Sequence, residues 1–279
     1  MARSALRFVT FLAPNMYPVY DCVVRYVGTR LGRPTELVVG TSYDDLIHDG
    51  HAGFICGLAY IKLRRQHPEA LEPLVAPQLA GARYQGRPVY FSDVIVHRES
   101  PWRTLGDLRG RTWAYNEPDS HSGYGVVEHT LRQLGHSWSF FGEAVQTGWH
   151  ERSIRLVRDG FVDASAIDSQ VLAVALRDAP ELATKLRVIG SLGPSTVQPL
   201  VAGRRLSRRV RREIQEVLTE MHAEPAVRRA LAHGFVERFV RVNDRSYDDI
   251  RAMCHTTDSA VVRHPPHASA KRKRKIRSA

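Results

Sequence analysis

The sequence predicts an α/β protein of two lobes joined by two extended crossings, and three observations carry that expectation. Strand-like and helix-like runs alternate from Leu6 to His67; the alternation breaks into β-rich pieces between Leu74 and His97, and again between Leu186 and Val201; it restarts between the two breaks. Alternation of this kind argues for helices layered on a largely parallel sheet, and two long extended passages let a chain leave one such layer and return. With 279 residues, 43% of them hydrophobic, the chain can build one large or two modest cores.

Taken in order, Leu6–Ala13 reads as a buried strand closed by a turn at Pro14 and Asn15. The stretch from Pro18 to Leu31 places Val19, Val23, Tyr26 and Val27 at helical spacing and stops at Gly32. Leu37–Val39 is a second strand, and Ser42 sits where an N-cap belongs, ahead of Leu46 and Ile47. Gly53–Leu58 is a third strand, followed by a basic helix from Ala59 to His67. In the restarted half, Arg111–Tyr115 and Val162–Ile167 are strands, while Ser122–Leu134, Ser153–Arg158 and Ser169–Leu176 are helices. Ser207–Ala223, Pro225–Ala232 and Tyr247–Met253 close the chain as helices. The expected first lobe is residues 1–91 with 199–256, and the second, inserted, is 92–198. Residues 257–279 read as a basic tail too poor in apolar groups to offset its own ordering entropy.

The chain carries 40 Lys+Arg against 29 Asp+Glu, a net charge of +11. Six of the positive charges are Lys271, Arg272, Lys273, Arg274, Lys275 and Arg277; removing those six from +11 leaves +5. A body so weakly basic accommodates an acidic ligand but gives no sign of nucleic-acid binding beyond non-specific contacts of the tail. The arginine pairs at 204–205, 208–209 and 211–212 fall largely on the solvated face of a helix that turns Val210, Ile214, Val217 and Leu218 inward. Cys22, Cys56 and Cys254 lie far apart with no C-x-x-C spacing, so neither a disulfide framework nor a zinc site is encoded. His264 and His267, with Cys254-His255, offer no metal-site context, and no cofactor or metal is expected. No apolar run reaches the ~18 residues of a membrane span. Phe8 to Ala13 is shorter than a secretory core and lacks a cleavage signal, so the sequence as written reads as soluble and cytoplasmic, or periplasmic if a leader precedes it.

Three junctions could carry chemistry. The segment N-E-P-D-S-H-S-G-Y-G, residues 116–125, lies between a strand and a helix with Val127, Leu131 and Leu134 at helical spacing. Ser120, His121 and Ser122 thus meet a helix N-terminus, where orphan N–H groups and the macrodipole favour an anion, while Gly123 permits close backbone approach. Capping alone needs one of these serines, and either Ser120 or Ser122 suffices. The segment G-W-H-E-R-S-I places His150 just ahead of a second helix, as an imidazole donor or a structural residue. V-D-A-S-A-I-D-S ends a strand at Asp168, which either caps the next helix or accepts a hydrogen bond from a protonated ligand hydroxyl or an ammonium.

The ordered set S-Y-D-D-L, P-V-Y-F-S-D-V-I-V, S-P-W-R-T-L-G-D-L-R-G-R, D-S-H-S-G-Y, G-W-H-E-R-S-I and G-F-V-D-A-S-A-I-D resembles the phosphate, phosphite and phosphonate substrate-binding proteins of ABC importers. The likeness runs from about Leu6 to Met253. It implies a type II periplasmic-binding-protein fold that clamps a small oxyanion between its lobes, for uptake through a permease or as a soluble sensor. By matching position, Ser120, His121, Ser122, His150 and Asp168 would reach the ligand from the second lobe, and Tyr43, Tyr90 and Tyr60 from the first. His121 stands where the family often has a small hydroxyl residue, a departure that bears on the ligand more than on the fold.

A catalytic alternative stays open. Ser120 or Ser122, His150 and Asp168 have the chemical types of a hydrolytic triad, and the fold also hosts enzymes of cofactor biosynthesis. Ser122 lies outside a G-x-S-x-G elbow, and a hydroxyl that points at an anion needs no base. The sequence therefore favours a binder without a catalytic step.

Overall fold

The computed structural model describes residues 5–255. Its strands form two sheets. The first contains β1 (Leu6–Thr10), β2 (Thr35–Val39), β3 (Ala52–Phe54), β4 (Leu71–Leu79), β10 (Leu200–Gly203) and β11 (Val236–Arg241), in the order β11-β4-β10-β3-β1-β2. The second contains β5 (Val89–His97), β6 (Thr112–Tyr115), β7 (Glu143–Gln146), β8 (Ala164–Asp168) and β9 (Leu186–Thr196), in the order β7-β6-β8-β5-β9. The chain changes sheets between β4 and β5 and again between β9 and β10, so the two β-rich passages in the sequence are the two crossings. The α/β class is as expected, but the sheets are mixed rather than largely parallel. In the first, β10 pairs antiparallel with β3 and β4, and β11 with β4; in the second, β5 pairs antiparallel with β8 and β9. The reason is that the strand following each crossing, β5 or β10, enters its sheet against the direction of the βαβ strand it joins.

Helices α1 (Tyr17–Leu31), α2 (Gly57–Gln66), α3 (Val126–Gln133), α4 (His150–Arg158), α5 (Ser169–Asp178), α6 (Leu182–Lys185), α7 (Arg208–Glu220), α8 (Pro225–His233) and α9 (Asp248–His255) complete the described residues. Each long helix follows its apolar spacing. Helix α1 buries Val19, Val23, Val24 and Val27 and ends at Gly32, whose φ of 57° suits a residue without a Cβ. Helix α7 begins at Ser207, whose hydroxyl accepts the Val210 amide at 3.3 Å, and turns Ile214 and Leu218 inward while Arg208, Arg209 and Arg212 stay exposed. The second sheet carries its own aromatic cluster, where Trp113 stacks on Phe141 with ring centroids 4.5 Å apart.

Several boundaries differ from the sequence expectation, each for a local reason. The first strand stops at Thr10, whose hydroxyl accepts the Leu12 amide at 3.3 Å and turns Phe11–Ala13 out of the sheet. Ser42 caps no α-helix. Asp45 instead folds back to accept the Thr41 and Ser42 amides at 2.8 and 3.1 Å and opens a wide π-type turn, Asp45–Asp49. A second wide turn, His121–Gly125, precedes α3, so the helix expected from Ser122 starts as a looser coil. The third strand ends at Phe54 rather than Leu58, and α2 begins at Gly57. Strands β7 and β11 had no counterpart in the expectation. The basic tail at 257–279, the terminal residues 1–4 and 256, and the pair His264 and His267 lie outside the described residues.

Candidate functional site

Strands β7, β6 and β8 are parallel neighbours, so the loops that leave their carboxyl ends emerge side by side. These loops carry the three junctions singled out in the sequence. After β6, Ser120 caps the wide turn by accepting the Gly123 amide at 3.1 Å. That role frees Ser122, whose hydroxyl lies 2.9 Å from Nε2 of His150, the first residue of α4. The two serine oxygens are 3.4 Å apart. After β8, Asp168 caps α5, with Oδ1 accepting the Gln170 and Val171 amides at 2.8 and 3.3 Å, and Oδ2 accepting from the Gln198 amide. Capping by Ser120 and Asp168 is therefore a fact of the structure.

Ser120, Ser122, His150 and Asp168 line one cleft of about 540 Å³, solvent at its mouth included. The facing wall comes from the first-sheet half: Phe11, Leu12 and Ala13 follow β1, Met16 immediately precedes α1, Tyr20 lies in its first turn, and Cys56 follows β3. Among the described residues no Lys or Arg lines the cleft, and the acidic residues on its lining are Glu117 and Asp168.

Burial sets the charge state of every group here. It pushes His150 down to about 4 and His121 down to about 3, so both imidazoles are neutral near pH 7. It raises Asp168 to about 6 against the hydrogen bonds from Gln198, Gln170 and Val171 that oppose it, and it raises Glu117, helped by Asp119. The Tyr20 phenol is pushed far up by burial and by Asp168, and stays protonated as a donor. Two buried polar atoms on the lining have no partner among the described residues, Oδ1 of Asn116 and Nδ1 of His150. If Ser122 donates to Nε2, Nδ1 of His150 carries the proton and offers a donor to an oxyanion.

The remaining sequence candidates lie around this cleft rather than on its lining. His121 turns away from it: Nε2 is 2.9 Å from the Ser195 hydroxyl, the ring meets Tyr90 edge-on at 6.5 Å, and its backbone N–H donates to Cys56 Sγ at 3.2 Å. Tyr90 is buried with its phenol beside Ser122. Tyr43 packs on Phe11 at 4.7 Å between ring centroids. Tyr60 is fully buried, and its hydroxyl donates to Asp244 at 2.6 Å. Gly123 matters through contact: a Cβ there would sit 2.0 Å from Asn116 Oδ1 and 3.3 Å from the Asn116 backbone nitrogen.

Sequence reasoning missed Tyr20, Asn116, Trp149 and Gln198 as lining residues. Tyr20 stacks on Phe54 at 4.5 Å and reads from its spacing as a core residue of α1. Trp149 is 42% exposed at the cleft and adjoins His150, the one signal that could have found it. No helix among the described residues is long and apolar enough to cross a membrane, and no cluster of three His, Cys, Asp or Glu among them could hold a metal ion.

The family model for the periplasmic substrate-binding protein of phosphonate ABC transporters matches residues 10–247. The chain belongs to that family. Solved structures agree on the fold. A binding-protein component of an ABC phosphonate transporter from Pseudomonas aeruginosa is 16% identical, with a TM-score of 0.79 over 92% of this chain and 87% of the other. A Prochlorococcus marinus protein solved in complex with methylphosphonate is 17% identical, with a TM-score of 0.78 over 92% of this chain and 99% of the other. The periplasmic aliphatic sulphonate binding protein of Escherichia coli is 16% identical, with a TM-score of 0.60 over 92% and 88%. The phosphonate-binding family is thus a substrate-binding component of transport machinery, and this chain carries its fold over most of its length.

Proposed function

We propose that the cleft captures a small tetrahedral oxyanion, a phosphonate or phosphate ester, and hands it to an ABC permease on the periplasmic side of a membrane without a catalytic step. The observation that carries this reading is the convergence of Ser120, Ser122, His150 and Asp168, from three neighbouring strand ends, on one cleft that no Lys or Arg among the described residues lines. Hydroxyls, a neutral imidazole and first-turn amides replace the anion's hydration shell. Burying a dianion without a cation is costly, so the ligand keeps one proton and donates a hydrogen bond through it to the Asp168 carboxylate. The two lobes, residues 1–91 with 199–256 and residues 92–198, close on the ligand about the two crossings.

A thermal-shift screen with phosphate, phosphite, methylphosphonate, aminoalkylphosphonates and carboxylic acids identifies the ligand, because binding to the folded state alone raises Tm. Ser122→Ala and His150→Ala each weaken binding at least about tenfold, on the order of 1.4 kcal/mol. Calorimetry that finds unchanged affinity in both variants rejects the site.

One observation favours a second reading. The 2.9 Å contact between Ser122 and His150 has the length of a nucleophile–base pair. Against it, Nδ1 of His150 has no partner among the described residues, and Asp168 is bonded to α5 and Gln198 rather than to His150, so no third group among them orients the imidazole. Hydrolysis of activated esters or phosphate monoesters that disappears in Ser122→Ala would establish the enzyme.

A further inference from the structure

Helix α5 does more than present Asp168. Along its length it is bonded to two turns of the first-sheet half. The Gln170 amide donates to the Gly234 carbonyl at 2.6 Å, and the Val171 carbonyl accepts from the Asn15 side chain at 3.1 Å. At the far end, the Arg177 guanidinium donates to the His233 carbonyl, lies 3.1 Å from Nε2 of the same histidine, and sits over the Phe235 ring at 5.7 Å. An arginine can only donate, so Nε2 of His233 is the acceptor in this contact. Asp178 holds the same guanidinium from behind at 2.8 Å.

Arg177 lies nine residues beyond the cap, about 13 Å along the helix axis, and is absent from the cleft lining. Across the cleft, Lys62 reaches Asp119 at 2.6 Å, so the halves are tied on both flanks. That second tie adjoins Ser120, whereas Arg177 can be altered without touching the anion site.

We propose that α5 is a clasp between the lobes, and that Arg177 sets ligand affinity through the population of the closed form without contacting ligand. The proposal rests on the anion-binding reading above. Apparent affinity scales with the closed fraction, so a weaker clasp raises Kd through faster dissociation and leaves encounter with the open form unchanged. For Arg177→Gln the loss of its hydrogen bonds predicts a three- to tenfold, roughly, weaker affinity for methylphosphonate.

The test is made on the full chain, with methylphosphonate as the probe and Arg158→Gln, at a half-buried site near the end of α4 and off the cleft lining, as the control. Stopped-flow binding should give an increased dissociation rate with an association rate within about twofold of wild type, and small-angle scattering without ligand should give a larger radius of gyration. Asn15→Ala, on the other side of the seam, should do the same and replaces Arg177→Gln if that variant folds poorly. An unchanged dissociation rate or an unchanged radius of gyration in these variants overturns the clasp. If wild type takes up no methylphosphonate, the anion site is what fails, and the scattering comparison alone decides on the clasp.

Discussion

Acid destabilises this fold through two interior histidines. His121 and His150 are held at about 3 and about 4 because burial disfavours their charged forms, whereas in an unfolded chain histidine titrates near ~6.5. Groups depressed on folding bind more protons when unfolded, so stability is lost as pH falls below ~6.5, by about 1.4 kcal/mol per pH unit for each group. From pH 6.5 to 5 the pair therefore removes on the order of 4 kcal/mol. Asp168 acts in the opposite direction. Raised to about 6, it takes up its proton first in the folded state and returns on the order of 1.4 kcal/mol between pH 6 and 5. The net loss is on the order of 3 kcal/mol, a large share of the ~5–15 kcal/mol that holds an ordinary domain together. His51 and His129, depressed in the same direction, add to it. Urea denaturation at pH 7 and pH 5 measures the difference directly. His121→Gln, which can keep a donor near Ser195, should cut the acid loss by about 2 kcal/mol. A wild-type loss below about 1 kcal/mol, or the same loss in His121→Gln, would refute the assignment of both rings as buried and neutral.

Three other substitutions separate the roles of individual residues. Gly123→Ala should lower the unfolding free energy by about 1–3 kcal/mol and weaken ligand binding, because the new methyl displaces the Asn116 side chain; calorimetry and denaturation read the two effects separately. Tyr60→Phe should cost about 1 kcal/mol of stability through the lost bond to Asp244, with methylphosphonate affinity within about twofold of wild type. Ser207→Ala should lower stability by about 1 kcal/mol in thermal or urea unfolding, since it removes the cap of α7 and touches nothing near the cleft.

Much of this fold was legible because periodicity reports burial on one face. The valines of α1 and the pair Ile214 and Leu218 of α7 lie where their spacing puts them. Strand β7 escaped notice because four half-exposed or exposed residues at a sheet edge carry no alternation, and β11 because Glu237, Arg238 and Arg241 interrupt its apolar positions. The wide turns at 45–49 and 121–125 were illegible for a different reason. Their hydrogen bonds come from side-chain and tertiary choices, such as Asp45 folding back on Thr41, which propensity does not encode.

The same division holds at the cleft. Strand ends followed by helix starts point to Ser120, Ser122, His150 and Asp168 from sequence, because parallel neighbours deliver their loops to one edge. Chain pattern cannot show which way a side chain leaves its backbone. His121, flanked by two cleft serines, swings to Ser195, whereas Tyr20, patterned as core, reaches the opposite wall. Tyr60 was implied by family likeness alone, and its phenol is spent on Asp244.

Trp149 gives the most direct test of oxyanion capture, since it lines the cleft and is 42% exposed. Titration of the purified chain with methylphosphonate or the best ligand from the thermal screen, followed by tryptophan emission, should give a saturable change that is lost in Trp149→Phe. In Ser122→Ala the same titration should saturate only at about tenfold higher ligand or beyond. Emission that stays flat for every oxyanion in wild type, with no heat of binding in parallel calorimetry, would contradict the claim that these three strand ends hold an anion.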